Sequence, residues 1–175
     1  MKKFVVLALL AAVVASAVPA MAWDSNKQKA LGQDPNKMTW YILDYGMNGG
    51  IPYAVSRKYY TNQTEKDKTI ELLMSKFSIS PEIAGSLYFT EYGYEFTPDG
   101  KQFAVTYLRH YDMLGNEIHG TVYEGENKEF NAVSGFVLPK ASNLALGKSI
   151  AEPKKTTAKK TTKKTTASKV VKKKK

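Results

Sequence analysis

The chain has 175 residues, 26 of them Lys or Arg and 16 Asp or Glu, with no Cys and a formal net charge of +10; that length holds one modest domain with appendages and excludes a large multidomain enzyme. The charge is segregated: residues 24–152 carry all 16 acids against 13 basic residues, whereas residues 153–175 carry 11 Lys and no acid. The body is therefore slightly acidic, and the basic pI alone does not make it a nucleic-acid-binding fold.

Lys2 and Lys3, an apolar run over residues 4–18 and then Pro19-Ala20-Met21-Ala22 give the basic start, short apolar stretch and small-residue end of a secretory signal. Cleavage after Ala22 would start the mature chain at Trp23. A retained anchor is the weaker reading, because crossing a bilayer takes roughly 20 apolar residues and this run is shorter. No Cys is present to accept a lipid, and no later stretch is apolar enough to span. The expected location is the periplasm or the cell surface of a bacterium. Without Cys, neither disulfides nor a thiolate metal site supports the exported body, so its own core must hold it, which about 130 residues suffice to do.

Residues 23–37 are polar, with Gly32 and an Asp34-Pro35-Asn36 turn signal, and read as a loosely ordered lead-in to a sheet domain over residues 38–152. Residues 38–45 are β-branched and aromatic, residues 46–50 break the pattern with three Gly, and residues 51–60 resume it with Tyr53, Val55 and Arg57 alternating. That predicts two strands with a Gly-rich connection. Asn62-Gln63-Thr64 has the spacing of a glycosylation acceptor, which reads as a coincidence because the export signal has a bacterial pattern. Residues 69–79 fit two periods, since Ile70, Leu73, Met74 and Phe77 suit a helix while Ile70, Leu72 and Met74 suit a strand. Strand is favoured because the neighbouring segments are strands. Ser80, Pro81 and Glu82 supply the cap, first-position Pro and first-turn acid of a short helix stopped by Gly85.

Residues 88–96 place Tyr88, Thr90, Tyr92, Tyr94 and Phe96 on one face of a strand. Such a stripe reads first as core and second as a sugar- or peptide-contacting surface. After the Thr97-Pro98-Asp99-Gly100 turn, residues 101–112 alternate through Phe103, Val105, Tyr107, Arg109 and Tyr111. Residues 113–116 turn, and residues 117–124 return with Ile118, Gly120 and Val122, completing an antiparallel meander. A turn at Glu126-Asn127-Lys128 precedes a last strand over residues 130–138, and Ser142 caps a helix that reaches Ile150. The expected fold is α+β, a twisted antiparallel β-sheet meander with a short internal helix and a C-terminal helix, followed by a disordered Lys-rich tail.

A symmetric turn over residues 113–116 would pair Asp112 with Glu117 and His110 with His119, because antiparallel partners keep a constant sum of residue numbers. All four would share one face, open to solvent, with Tyr107, Tyr111, Ile118 and Val122 on the core side. Two imidazoles and two carboxylates within cross-strand reach could ligate zinc or a similar ion. The plainer reading is a solvated, pH-responsive face of His⁺ beside carboxylate, and a one-residue slip would disperse the group. No other cofactor is implied. The chain has no Cys nucleophile, G-x-S-x-G elbow, H-E-x-x-H, phosphate-binding loop or dinucleotide fingerprint, so a non-enzymatic role is expected, with an unrecognised hydrolase as the remainder.

The tail repeats Lys-Lys-Thr-Thr with a period of four or five, through Lys154, Lys155, Lys159, Lys160, Lys163, Lys164, Lys169, Lys172, Lys173, Lys174 and Lys175. With almost nothing apolar to bury and like charges repelling, it is expected to be disordered. Each Lys near an anionic membrane contributes roughly 1 kcal/mol at low screening. Its expected partners are therefore anionic envelope polymers or lipid head groups, with no specific nucleic acid; the alternative is a solubilising tail.

Thr39-Trp40-Tyr41 opens a strand, Tyr111-Asp112-x-x-Gly115 forms a hairpin after a Tyr-rich strand, and Leu138-Pro139-x-x-Ser142 precedes the final helix. In these features residues 38–150 resemble the surface-adhesin protein E family of small exported bacterial proteins. The resemblance implies an antiparallel sheet with a C-terminal helix packed on it and, for the best-known member, adhesion to host extracellular-matrix proteins. The Cys pair that ties helix to sheet in that family is missing here, and no binding residue carries over, since a scaffold does not fix a ligand. The sequence thus points to an exported, adhesin-like binding domain with a polycationic tether, whose sheet takes a host or envelope protein. The alternative is a periplasmic ligand or metal binder using the His110 and His119 face.

Overall fold

The computed structural model describes residues 25–150. The expected export signal and all eleven tail lysines lie outside the described residues.

Six strands run as an antiparallel meander in chain order and curl: β1 (Lys29–Gln33), β2 (Thr39–Asn48), β3 (Ile51–Tyr59), β4 (Phe89–Phe96), β5 (Gln102–Tyr111) and β6 (Glu117–Val122). A two-residue strand, β7 (Asn131–Ala132), pairs with the start of β5. The β3–β4 connection carries α1 (Gln63–Phe77) and α2 (Pro81–Gly85), and α3 (Leu138–Ala145) follows β7. The protein is α+β with an antiparallel sheet, as its residue pattern implies.

Local chemistry explains where the elements depart from the pattern. Gly49 and Gly50 both take positive φ, 57° and 84°, which a tight two-residue hairpin demands. β2 therefore continues through Gly46 to Asn48, residues expected to end it. The polar lead-in is not all irregular: β1 pairs with β2 and inserts the buried Leu31 into the core at a bulge.

Residues 69–77 belong to a helix, not a strand, and residues 78–79 close it. The Asn62 side chain accepts from Thr64 N at 3.0 Å, Glu65 lies in the first turn, and Ser78 takes a left-handed φ of 56° so that Ile79 N donates to Leu73 O at 3.2 Å. Caps at both ends outweigh the strand-like alternation. The predicted α2 forms as expected on its Ser80 cap. α3 starts earlier than Ser142, at Leu138 with Pro139 in its first turn, and ends before Gly147 at φ 72°. The expected strand over residues 130–138 shrinks to β7.

All three helices sit on one face of the sheet. α3 buries Val137, Ala141, Leu144 and Ala145 against Leu31, Ile42, Ala54, Tyr94 and Phe96. At the other end of the same face, Leu73, Ala84 and Leu87 form a second cluster with Tyr60, Ile70, Phe77 and Ile118. The stripe of Tyr92, Tyr94 and Phe96 belongs to this covered face, so its core reading holds. Among the described residues no helix is long and apolar enough to cross a membrane.

Candidate functional site

The structure brings His110 and His119 opposite each other, with ring centroids 6.5 Å apart. It does not add the two carboxylates. Ile118 is an extra residue in β6, so Glu117 pairs with Tyr111 in place of Asp112. Glu117 then lies 3.8 Å from Arg109 on the opposite face. Asp112 closes the hairpin instead, its Oδ1 accepting from Leu114 N and Asn116 N at 2.8 Å each.

The expected orientation of this face is also reversed. His110 is only 3% exposed, under the α1–α2 cover, while Tyr107 and Tyr111 lie on the uncovered side. His110 Nδ1 is hydrogen-bonded to Thr90 Oγ1 at 2.9 Å, and Thr90 Oγ1 to the Tyr60 hydroxyl at 2.8 Å. The His119 ring stacks on Phe77 with centroids 4.0 Å apart. Burial, reinforced by the Lys58 ammonium and the His119 ring, pushes the His110 pKa down to about 4. Lys58 itself sits among Tyr60, Tyr92 and Trp40, at 4.7, 5.6 and 5.9 Å from their ring centroids. Among the described residues no group of three or more His, Cys, Asp or Glu is placed to hold a metal ion.

Among the described residues the other face of the sheet has no helix over it, and it carries a different constellation. Pairing puts Tyr41 of β2, Arg57 and Tyr59 of β3, and Phe89 and Glu91 of β4 side by side there, and Leu43, the extra residue at a bulge in β2, joins them in the groove. The Arg57 guanidinium donates from Nε to Glu91 Oε1 at 3.0 Å and from Nη2 to the same oxygen at 2.5 Å. Its Nη1 donates to the Tyr59 hydroxyl at 3.2 Å, and the group lies 4.2 Å from the Phe89 centroid. Phe89 in turn stacks on Tyr111 at 4.9 Å. Tyr59 makes edge contacts with Tyr41 at 5.7 Å and Tyr88 at 5.6 Å. Burial, then the Glu91 charge, raises the Tyr111 pKa, so its phenol is neutral at physiological pH.

Tyr41, Leu43, Arg57, Tyr59 and Tyr88, with Gln28, Thr39 and Thr61, line a groove of about 590 Å³. Its guanidinium is neutralised by Glu91, so the groove offers aromatic edges, hydroxyls and an amide with no unpaired charge at its floor. Such a surface stacks against flat or ring-shaped groups and hydrogen-bonds their polar edges. Tyr88 does not join the stripe assigned to it. It precedes β4, its ring contacts Tyr59 and Phe89, and it faces the groove. The signal for this site was present in Arg57, opposite Glu91 with aromatics two residues away on each strand, but the pairing of β3 with β4 was needed to see it.

No protein-family model matches the chain, and no curated protein or solved structure is significantly similar to it.

Proposed function

We propose that the chain is an exported bacterial envelope protein whose sheet domain binds a partner without chemistry, held near anionic envelope polymers or lipid head groups by lysines 154–175. The observation that carries the reading is the division of the sheet: among the described residues the helices all cover one face, leaving the other with a tyrosine-lined groove of about 590 Å³. The secretory pattern of residues 1–22, the eleven uncompensated lysines and the resemblance to surface-adhesin protein E support the location and the style of interaction. The runner-up, a metal or ligand site on His110 and His119, draws less support, because His110 is buried beneath α1 and α2 and the two carboxylates point elsewhere.

The test presents immobilised extracellular-matrix proteins and peptidoglycan fragments to the mature protein and to Tyr59→Ala and Tyr88→Ala variants. Binding that falls about tenfold in both variants, the loss of one aromatic contact, assigns the groove. Binding that is unchanged in both removes the groove from the account.

A further inference from the structure

The β5–β6 hairpin ends in Met113 and Leu114, which are 71% and 83% exposed, the two most exposed large apolar side chains among the described residues. The turn beneath them is closed on itself. Asp112 N donates to Asn116 O at 3.0 Å, and Gly115 N donates to Asp112 O at 3.2 Å. Leu114 N and Asn116 N donate to Asp112 Oδ1, and Asn116 Nδ2 donates to Asp112 Oδ2, each at 2.8 Å. Gly115 adopts a φ of 86°, which the turn requires and side chains resist.

Two consequences follow for an apolar medium. The Met113–Leu114 pair is held outward in advance, so contact orders little new structure. The amides of Asp112, Leu114, Gly115 and Asn116 and the Asp112 carboxylate are bonded inside the turn, which lowers the desolvation cost an open turn would meet. Tyr88 stands at the base of the same hairpin, its amide donating to Tyr111 O at 2.8 Å, and is 45% exposed. A phenol in that position suits the head-group layer of a membrane.

The lysines of residues 153–175 match any anionic polymer, but the hairpin tip does not. A hydrated polyanion offers nothing to Met and Leu, whereas a bilayer offers both head-group charge and an acyl boundary. The chain continues for 25 residues after Ile150. At roughly 3.3–3.6 Å per residue, their full contour is about two and a half times the length of a ten-residue strand, enough reach for lysines and tip to meet one surface. Neither signal alone anchors a protein firmly, and the two together do.

We infer that the anionic partner is a lipid bilayer surface, with Met113 and Leu114 seated at its head-group–acyl boundary and the lysine-rich stretch on its anionic head groups. This rests on the reading of the chain as an exported envelope protein and narrows its partner.

The test uses the mature full-length chain with phosphatidylcholine vesicles with and without phosphatidylglycerol, and with purified peptidoglycan and lipopolysaccharide. The protein is expected to sediment with the anionic vesicles. Met113→Ser/Leu114→Ser is expected to weaken that partitioning roughly tenfold or more, while leaving the thermal midpoint unchanged, because both side chains are exposed in the free protein. The Leu114→Trp variant is expected to shift its emission to the blue on vesicles and to be quenched by brominated acyl chains. Sedimentation with vesicles that is indifferent to both substitutions, with no shift and no quenching, overturns the insertion and leaves the tether standing. Sedimentation with peptidoglycan or lipopolysaccharide but not vesicles overturns the bilayer in favour of a polymer. Sedimentation with none of them overturns the envelope reading as well.

Discussion

His110 provides a sharp test of the buried network, because its environment makes stability depend on pH with a known sign. Its ordinary pKa of 6.5 falls to about 4 in the folded protein. The unfolded chain therefore binds a proton between these values that the folded chain refuses, so stability is full above about pH 6.5 and is lost as pH falls towards 4. At pH 4.5 the penalty from this one residue is about 2 kcal/mol relative to pH 7, a large part of a small domain's stability. Carboxylates titrate over the same range, so the comparison is with His110→Asn, whose amide can still meet Thr90 but takes no proton. Urea unfolding followed by far-UV circular dichroism at pH 7 and 4.5 should show the wild type losing about 2 kcal/mol more than the variant between the two conditions. Equal losses in the two proteins would mean that His110 is hydrated or charged in the fold, and would refute its burial as the cause.

Removing Arg57 alone strands Glu91, which is 6% exposed, so Arg57→Met should cost about 3 kcal/mol in urea unfolding. The double variant Arg57→Met/Glu91→Leu should recover much of that loss, since no charge is left unpaired. Leu73, fully buried between α1 and α2, should cost about 3 kcal/mol as Leu73→Ala and loosen the helices from the sheet before the strands separate, as hydrogen exchange would show. A Cβ on Gly93 would run into the Tyr107 ring and the Thr106 hydroxyl, so Gly93→Ala should destabilise by about 1–3 kcal/mol by the same unfolding assay. Asp112→Ala should speed amide exchange at Leu114 and Asn116 while leaving the exchange of β3 and β4 unchanged.

The meander was legible because its turns are written in Gly, Pro and Asp and separate β-branched and aromatic segments. The His110–His119 pairing was legible for the same reason, as a constant sum across a short turn. What escaped were single-residue irregularities. The bulge at Ile118 cannot be read from alternation, and it alone separates Asp112 from Glu117. α1 was hidden because it buries little, with Leu72 and Met74 left exposed, so its caps at Asn62 and Ser78 carried more information than its apolar period. The expected alternation from Phe103 to Tyr111 also fails at one residue, because the extra Thr106 moves Tyr107 and Tyr111 off the covered face that Phe103 and Val105 share with Tyr94. Beyond that bulge it is His110 and His119 that face α1 and α2. The groove depends on contacts between Arg57 and Glu91, 34 positions apart, and long-range pairing of that kind is what local periodicity leaves out.

The measurement that bears most directly on the account is salt-dependent co-sedimentation of residues 23–175 and residues 23–152 with purified peptidoglycan, lipopolysaccharide and anionic vesicles. The account predicts that the longer chain pellets with at least one of them at low salt and is released as ionic strength rises, while the shorter chain stays in the supernatant, because tethering by exposed lysines is screened. Equal pelleting of both chains, or of neither, would contradict it.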